Sequence, residues 1–201
     1  RFLLLELPDY TSEEERMDWA HFVMRFQQFT GPLMAKGFED TALYVYNRLV
    51  SLNEVGGDPR QFGCRAQDFH EFIRNRADRW PHTMNSTATH DSKRGEDVRA
   101  RINVLSEMPG QWEAHLKSWQ ALNRKKKIRL NAEEVPDPNE EYLLYQTLLG
   151  AFPFEAASGT FFIERISDYL IKAVREAKIH SSWTAVNAEY EAALVSFVQK
   201  I

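Results

Sequence analysis

The spacing of the large apolar residues constrains this chain most, because over most of its length they recur every three to four positions. Residues 12–29 show the pattern clearly, and Thr11 with Glu14 forms a capping-box pair before it. A long first helix is therefore predicted over 12–29, ended by Gly31-Pro32. The same periodicity predicts further helices over 40–50, 67–79, 98–105, 112–122, 138–149, 160–178 and 184–200. The expected fold class is mainly α.

Residues 82–89 break this pattern. They follow Pro81, are rich in threonine and lack the helical period, so they are predicted to form a strand. A lone strand leaves its backbone donors and acceptors unpaired unless it joins a sheet. We therefore expect it to belong to a barrel or sheet whose other strands lie outside this sequence. Residues 124–135 are predicted to be a charged connector.

Three regions are expected from this reading. Residues 1–80 form a helical region that includes Lys36 and the Asn53–Pro59 loop. Residues 81–106 form a strand, a loop and a helix, and residues 107–201 form a second helical region. Because the sequence starts on Arg1, without an initiator methionine, we expect it to be a segment of a longer protein.

Composition excludes several classes of function. The formal net charge of −4 argues against a nucleic-acid partner or an anionic membrane surface, since both recruit an excess of Lys and Arg. Cys64 is the only cysteine, so no disulfide within the chain is possible, and a cytoplasmic location is expected. No apolar run approaches the roughly 20 residues that span a bilayer. The histidine spacing and the single cysteine predict no metal site, and no phosphate-binding loop or other cofactor motif is found.

The polar segment that follows the predicted strand carries the clearest chemistry. It reads Thr-His-Asp-Ser-Lys-Arg-Gly-Glu-Asp-Val-Arg-Ala-Arg over residues 89–101. At a strand-to-helix junction of a β/α barrel, such side chains face the active site. An alternative stays open from spacing alone: Asp91 or Ser92 caps the next helix, and Lys93 and Arg94 are solvated.

The 89–101 string closely resembles the signature of the maltooligosyltrehalose synthases, at the position where α-amylase relatives have their last conserved His-Asp pair. A second resemblance to the same family runs from Met34 to Tyr44 and continues from Asn53 to Pro59. Trp80-Pro81 and Pro136–Glu140 also resemble it. The matches follow the family's order and are dense over about residues 25–150.

The resemblance implies a retaining α-glucan enzyme on a (β/α)8 barrel, with this chain as a helical insert and C-terminal region. The implied reaction converts the reducing-end α-1,4 bond of a maltooligosaccharide into the α,α-1,1 bond of trehalose, without a cofactor. Asp91 resembles the acid that stabilises the transition state, and His90 its neighbour on the same sugar ring. Lys36, Lys93, Arg94 and Glu54 are implied to bind substrate.

The family's nucleophile and acid/base lie N-terminal to the His-Asp pair, and neither is found here. The N-terminal half of the barrel is therefore an expected partner, and this chain alone is expected to be inactive. Glu39, Asp40 and Asn53 are left without assigned roles, since Asp40 also suits a helix N-cap and Asn53 a turn. Two alternatives stay open, namely a non-catalytic helical module that binds carbohydrate or a partner, and another α-amylase-type hydrolase or transferase.

Overall fold

Helices dominate the computed structural model, which describes residues 2–154 and 159–201. The mainly α fold class is confirmed. The α-helices are α1 (Glu13–Met34), α2 (Leu43–Val45), α3 (Ala66–Arg79), α4 (Glu96–Asn103), α5 (Pro109–Asn123), α6 (Pro138–Ala151), α7 (Gly159–Ala177) and α8 (Ala188–Lys200). A π-helical stretch, Ala35–Ala42, joins α1 to α2, and short 3₁₀ turns lie at Phe2–Leu4, Val50–Leu52, Val104–Ser106 and Arg124–Lys126.

The prediction of a strand at residues 82–89 is corrected by the structure, in which this segment is exposed and forms no strand. No strand in the described part of the chain pairs with it. The strands that do form are β1 (Ile128–Leu130) and β2 (Glu133–Val135), within the predicted connector. They pair antiparallel, with Ile128 opposite Val135.

The turn between the two strands explains why sequence reasoning missed the hairpin. Asn131 and Ala132 both have positive φ, 49° and 72°, as a two-residue turn of the mirror-image type requires. Asn-Gly is the usual signal for that turn, and alanine at the second position conceals it. The strands are also only three residues long, and three of their six residues are charged.

Helix α1 differs from its prediction at both ends. Its capping box is formed by Ser12 and Glu15, one residue later than predicted. The Glu15 amide donates to Ser12 Oγ at 3.3 Å, and the Ser12 amide donates to Glu15 Oε2 at 2.9 Å. Pro32 lies inside the helix rather than ending it. Helical structure then continues through the π-helical stretch, so that residues 35–42 project towards α7 instead of forming a loop.

Two apolar clusters form the core. One unites α6, α7 and α8 with β2, around Leu144, Leu170 and Phe197. The other packs residues 44–50 against α4, α5, α6 and α7, around Val50 and Ile102. Both clusters depend on α6, which therefore holds the 44–50 segment and α4 in fixed relative positions.

The first and third helices contribute little to this core. Val23 is the buried residue of α1, and α3 has none among its described residues. No helix in the described ranges is long and apolar enough to cross a membrane. The boundaries expected at residues 80 and 106 stay a prediction.

Candidate functional site

The predicted site segment folds into a tight polar turn before α4. The Thr89 amide donates to Ser92 Oγ at 2.7 Å, and the Asp91 amide donates to Thr89 Oγ1 at 3.3 Å. Helix α4 begins only at Glu96, with Gly95 as its N-cap and no capping side chain. The alternative in which Asp91 or Ser92 caps this helix is therefore wrong.

His90 and Asp91 project from this turn into solvent. Their side chains are 91% and 73% exposed, and His90 Nε2 lies 3.5 Å from Asp91 Oδ2. An exposed ion pair at this distance adds little to stability. Both groups are therefore accessible to a ligand without loss of a structural contact.

Glu54 holds the backbone of the same turn from the other side. Its Oε1 accepts from the Lys93 amide at 2.8 Å and from its neighbour Val55 at 2.9 Å, and its Oε2 accepts from Arg99 Nη1 at 3.0 Å. A longer bond of 3.5 Å comes from the Arg94 amide. Burial raises the pKa of Glu54, but these donors outweigh it and the pKa is lowered overall. Both carboxylate oxygens of Glu54, which was expected to bind substrate, thus accept hydrogen bonds from within the chain.

The position of Glu54 follows from a buried amide on α6. Gln146 Oε1 accepts from the Val50 amide and Gln146 Nε2 donates to the Asn47 carbonyl, each at 2.9 Å. Asn53 is also buried, and its Nδ2 donates to the carbonyls of Leu43 and Tyr46 at 2.7 Å. Asn53 therefore has a structural role, in which it folds residues 43–53 back on themselves.

Asp40 joins the two predicted lysines. Its Oδ2 lies 2.7 Å from Lys36 Nζ, and its Oδ1 lies 2.8 Å from Lys93 Nζ. Burial raises the pKa of Asp40, but hydrogen bonds from the two lysines outweigh it and hold the pKa below its usual value. Asp40 lies inside the π-helical stretch and is not a helix N-cap.

Lys36 and Lys93 differ in accessibility. The Lys36 side chain is 73% exposed, whereas that of Lys93 is 12% exposed and lies over the Tyr44 ring. The hydrogen bond to Asp40 raises the pKa of Lys36, with smaller contributions from the charges of Glu176 and Asp91. Lys36 thus shares the Asp40 carboxylate with Lys93 of the 89–101 segment, and the structure brings the two predicted motifs together.

Arg94 points away from this exposed area. Its Nη1 donates to the Val50 carbonyl at 3.1 Å, and its Nη2 donates to the Tyr169 hydroxyl at 2.6 Å. Glu39 makes one long contact, accepting from the Gly56 amide at 3.4 Å. Arg94 therefore ties the turn to α7 and to the 50–52 segment.

Sequence reasoning missed Arg99 and left Asp40 without a role. Arg99 donates to Glu54 and also, through Nη2, to the Thr87 carbonyl. The signal for Arg99 was its place in the 89–101 string, but its partner Glu54 is 45 residues away. Pairing over such a separation cannot be read from spacing.

Among the described residues, a cluster outside this site has donor atoms arranged as metal ligands. Asp137, Glu140 and His180 each offer an atom within 4.8 Å of the others. Two of these residues already form the capping box of α6, and His180 Nε2 lies 3.0 Å from Asp137 Oδ2. The Tyr190 hydroxyl donates to Glu140. These hydrogen bonds connect the start of α6 to His180 and to α8, and they account for the close approach of the three side chains. The absence of a metal stays a prediction.

Comparison with known proteins agrees with both motifs. No family model matches the chain. A curated protein named "Putative maltooligosyl trehalose synthase", from Mycobacterium tuberculosis, is 41% identical over 168 residues, which is 84% of this chain and 21% of that protein. The chain thus spans about a fifth of the length of the curated relatives it matches.

Solved structures give the same result. A structure described as a hypothetical maltooligosyl trehalose synthase of Sulfolobus tokodaii is 35% identical, with a TM-score of 0.77 over 96% of this chain and 27% of its own. The maltooligosyltrehalose synthase of Arthrobacter ramosus is 39% identical, with a TM-score of 0.73 over 87% of this chain and 21% of its own. Sequence and fold therefore both match a segment of the maltooligosyl trehalose synthases, and the resemblance seen in the motifs is confirmed.

Proposed function

We propose that this chain is one segment of an intramolecular glucosyl transferase, an isomerase of trehalose synthesis. The whole enzyme converts the reducing-end α-1,4 bond of a maltooligosaccharide into an α,α-1,1 bond. The observation that carries the proposal is the exposed pair His90 and Asp91, on a turn whose Lys93 shares the Asp40 carboxylate with Lys36. The names of the relatives support the same reaction.

The reaction exchanges one glycosidic bond for another. An enzyme carboxylate attacks the anomeric carbon and displaces the terminal glucose, which takes a proton from the acid/base group. The freed glucose then turns, and its anomeric hydroxyl attacks the glucosyl-enzyme while the same group takes the proton back. Two carboxylates about 5–5.5 Å apart carry these steps in retaining enzymes. In this proposal both lie in the rest of the barrel, the partner of this segment.

Asp91 supplies a third carboxylate, whose charge favours the oxocarbenium-like transition state. His90 donates to the same sugar ring. Lys36 keeps protons on Nζ beyond the one shared with Asp40, so it can bind the freed glucose. The predicted sugar contacts of Lys93 and Arg94 remain part of the proposal, alongside the contacts that these residues make within the chain. The proposal invokes no cofactor, because the carboxylates account for the bond and proton changes of both steps. A cytoplasmic location also remains part of the proposal, supported by the single cysteine.

The test uses the full-length protein that carries this segment, with maltopentaose as substrate. We expect reducing ends to disappear while the mass of the oligosaccharide stays the same. Release of glucose with an increase in reducing ends would instead indicate a hydrolase. Calorimetric binding of maltopentaose without any product would indicate the non-catalytic carbohydrate-binding module.

A further inference from the structure

Arg99 spans the base of the turn that carries His90 and Asp91. Two of its guanidinium nitrogens donate to separate groups: Nη1 to Glu54 Oε2, and Nη2 to the Thr87 carbonyl just before the turn. Glu54 in turn accepts from the Lys93 amide. Thr87 before the turn and Lys93 after it are thus both linked to Glu54, Thr87 through Arg99 and Lys93 through its own amide.

Asp91 itself has little to hold it. Its side chain is 73% exposed and lies near that of His90. The other described contact of Asp91 is the hydrogen bond that its backbone amide donates to Thr89 Oγ1. Residues 82–89 before it are exposed and outside any strand. The place of the Asp91 carboxylate relative to a bound sugar therefore depends on the groups that fix the ends of the turn.

We infer that Arg99 and Glu54 are positioning residues for Asp91, and that they act on the reaction through the turn rather than by touching the sugar. This inference rests on the proposed function, and it assigns to Glu54 a role other than substrate binding. Glu54 is suited to it, because both of its oxygens are engaged and its side chain is 22% exposed.

Arg99→Lys is the first test, in the full-length protein. A lysine keeps the charge, but a single ammonium cannot serve Glu54 and Thr87 in the same fork geometry. We expect kcat to fall on the order of ten-fold, since small displacements of a transition-state group are costly, while KM stays within about two-fold. Glu54→Gln, which keeps the size of the side chain and removes its charge, should have the same effect and serves if Arg99→Lys does not fold.

Arg101→Lys is the matched control. Arg101 lies two positions after Arg99 on α4. It also donates to two groups, the carbonyls of Gly150 at 3.1 Å and Phe152 at 2.8 Å. Its loss therefore perturbs α4 to a similar degree but leaves the turn in place. We expect kcat of this variant to stay within about two-fold of the original.

A double-mutant cycle separates positioning from general damage. If Arg99 acts through Asp91, Arg99→Lys should cause little further loss of kcat once Asp91→Asn is present. An unchanged kcat in Arg99→Lys and Glu54→Gln, or the same fold loss in both backgrounds, would overturn the inference. Failure of the proposed function gives a different result, because then Asp91→Asn alone stays near the original activity.

Discussion

At the scale of single residues, Asp91 makes the most direct prediction. Asp91→Asn in the full-length protein should lower kcat and kcat/KM together by about 10²-fold, because in the proposed function it removes a charge that acts at the transition state. The fold should be unaffected, since the carboxylate is mostly exposed. Asp97→Asn, an exposed acid in the same motif, is the control. Steady-state kinetics on maltopentaose measure the effect, and an activity within a few-fold of the original would remove Asp91 from the site.

In the proposed function, Lys36 determines which product forms. If its ammonium binds the freed glucose, Lys36→Ala should let glucose escape and let water attack the glucosyl-enzyme. Loss of a charged hydrogen bond weakens the hold on the glucose, so the ratio of glucose to trehalose-terminated product should rise about ten-fold or more.

Lys117→Ala provides the control for Lys36. Lys117 is 71% exposed and also pairs with a carboxylate four residues away on a helix, that of Glu113. Chromatography of both products gives the ratio directly. An unchanged ratio in Lys36→Ala, even at a lower rate, would show that Lys36 does not bind the acceptor glucose.

The raised pKa of Glu140 leads to a prediction of how the free energy of unfolding depends on pH. Burial, with the nearby Asp137 charge, raises the pKa of Glu140 to about 6, above the 4.5 of an unperturbed glutamate, although the bond from Tyr190 opposes the shift. The folded state therefore binds the proton more tightly. The stability this contributes is present below pH 4.5 and is lost as the pH rises through 6.

The measurement is chemical unfolding of the chain at pH 4 and pH 7. Relative to Glu140→Gln, the free energy of unfolding of the original chain should fall by about 1–2 kcal/mol over this interval. Glu133→Gln, an exposed glutamate on β2, should leave the pH dependence unchanged. A parallel pH dependence in the original chain and in Glu140→Gln would contradict the predicted shift.

At the scale of elements, Gly150 sets how closely α4 and α6 approach. A Cβ at this position would lie 2.8 Å from Val98 Cγ1 and 2.9 Å from Ile102 Cδ1, both branched side chains in the core region. Gly150→Ala should therefore destabilise the fold by about 1–3 kcal/mol, although alanine favours a helix. Gly110→Ala in α5 meets nothing within 4 Å and should stabilise it by about 0.5–1 kcal/mol. Thermal unfolding of the two variants decides, and equal shifts in Tm would contradict the close approach.

The same position shows what could be predicted from the sequence. The predicted helix over 138–149 stops just before Gly150, yet α6 continues to Ala151, because a glycine inside a helix also allows close packing. The start of α6 was predicted correctly, since Asp137, Pro138 and Glu140 act locally. Local signals thus predicted most helices, whereas helix contacts and the β1–β2 hairpin depend on distant partners or on unusual turn residues.

The site divides in the same way. His90, Asp91 and Lys36 were found through resemblance to a family, and spacing alone left them open to a capping or solvated role. Their surroundings were not predictable, because the contacts of Asp40 with Lys93 and of Glu54 with Arg99 join residues 53 and 45 positions apart. Such contacts follow from the packing of residues 44–54 against α4 and α6.

At the scale of the whole molecule, the apolar surface is distributed unevenly. Large apolar side chains are exposed along the first and third helices, including Phe22, Phe29, Phe69 and Phe72, each more than half exposed. Exposed apolar patches of this kind mark surfaces that contact other groups. The uneven distribution agrees with a chain that spans about a fifth of its curated relatives.

This arrangement leads to a prediction for the chain by itself. A retaining mechanism cannot proceed without its nucleophile and acid/base, and the proposed function places both outside these residues. The purified chain should therefore form neither trehalose-terminated product nor glucose from maltopentaose, while the full-length protein forms the first. Product analysis after long incubation at high protein concentration measures this, with the full-length Asp91→Asn variant as a reference for low activity. Trehalose-terminated product from the chain alone would show that the nucleophile and the acid/base lie within its 201 residues.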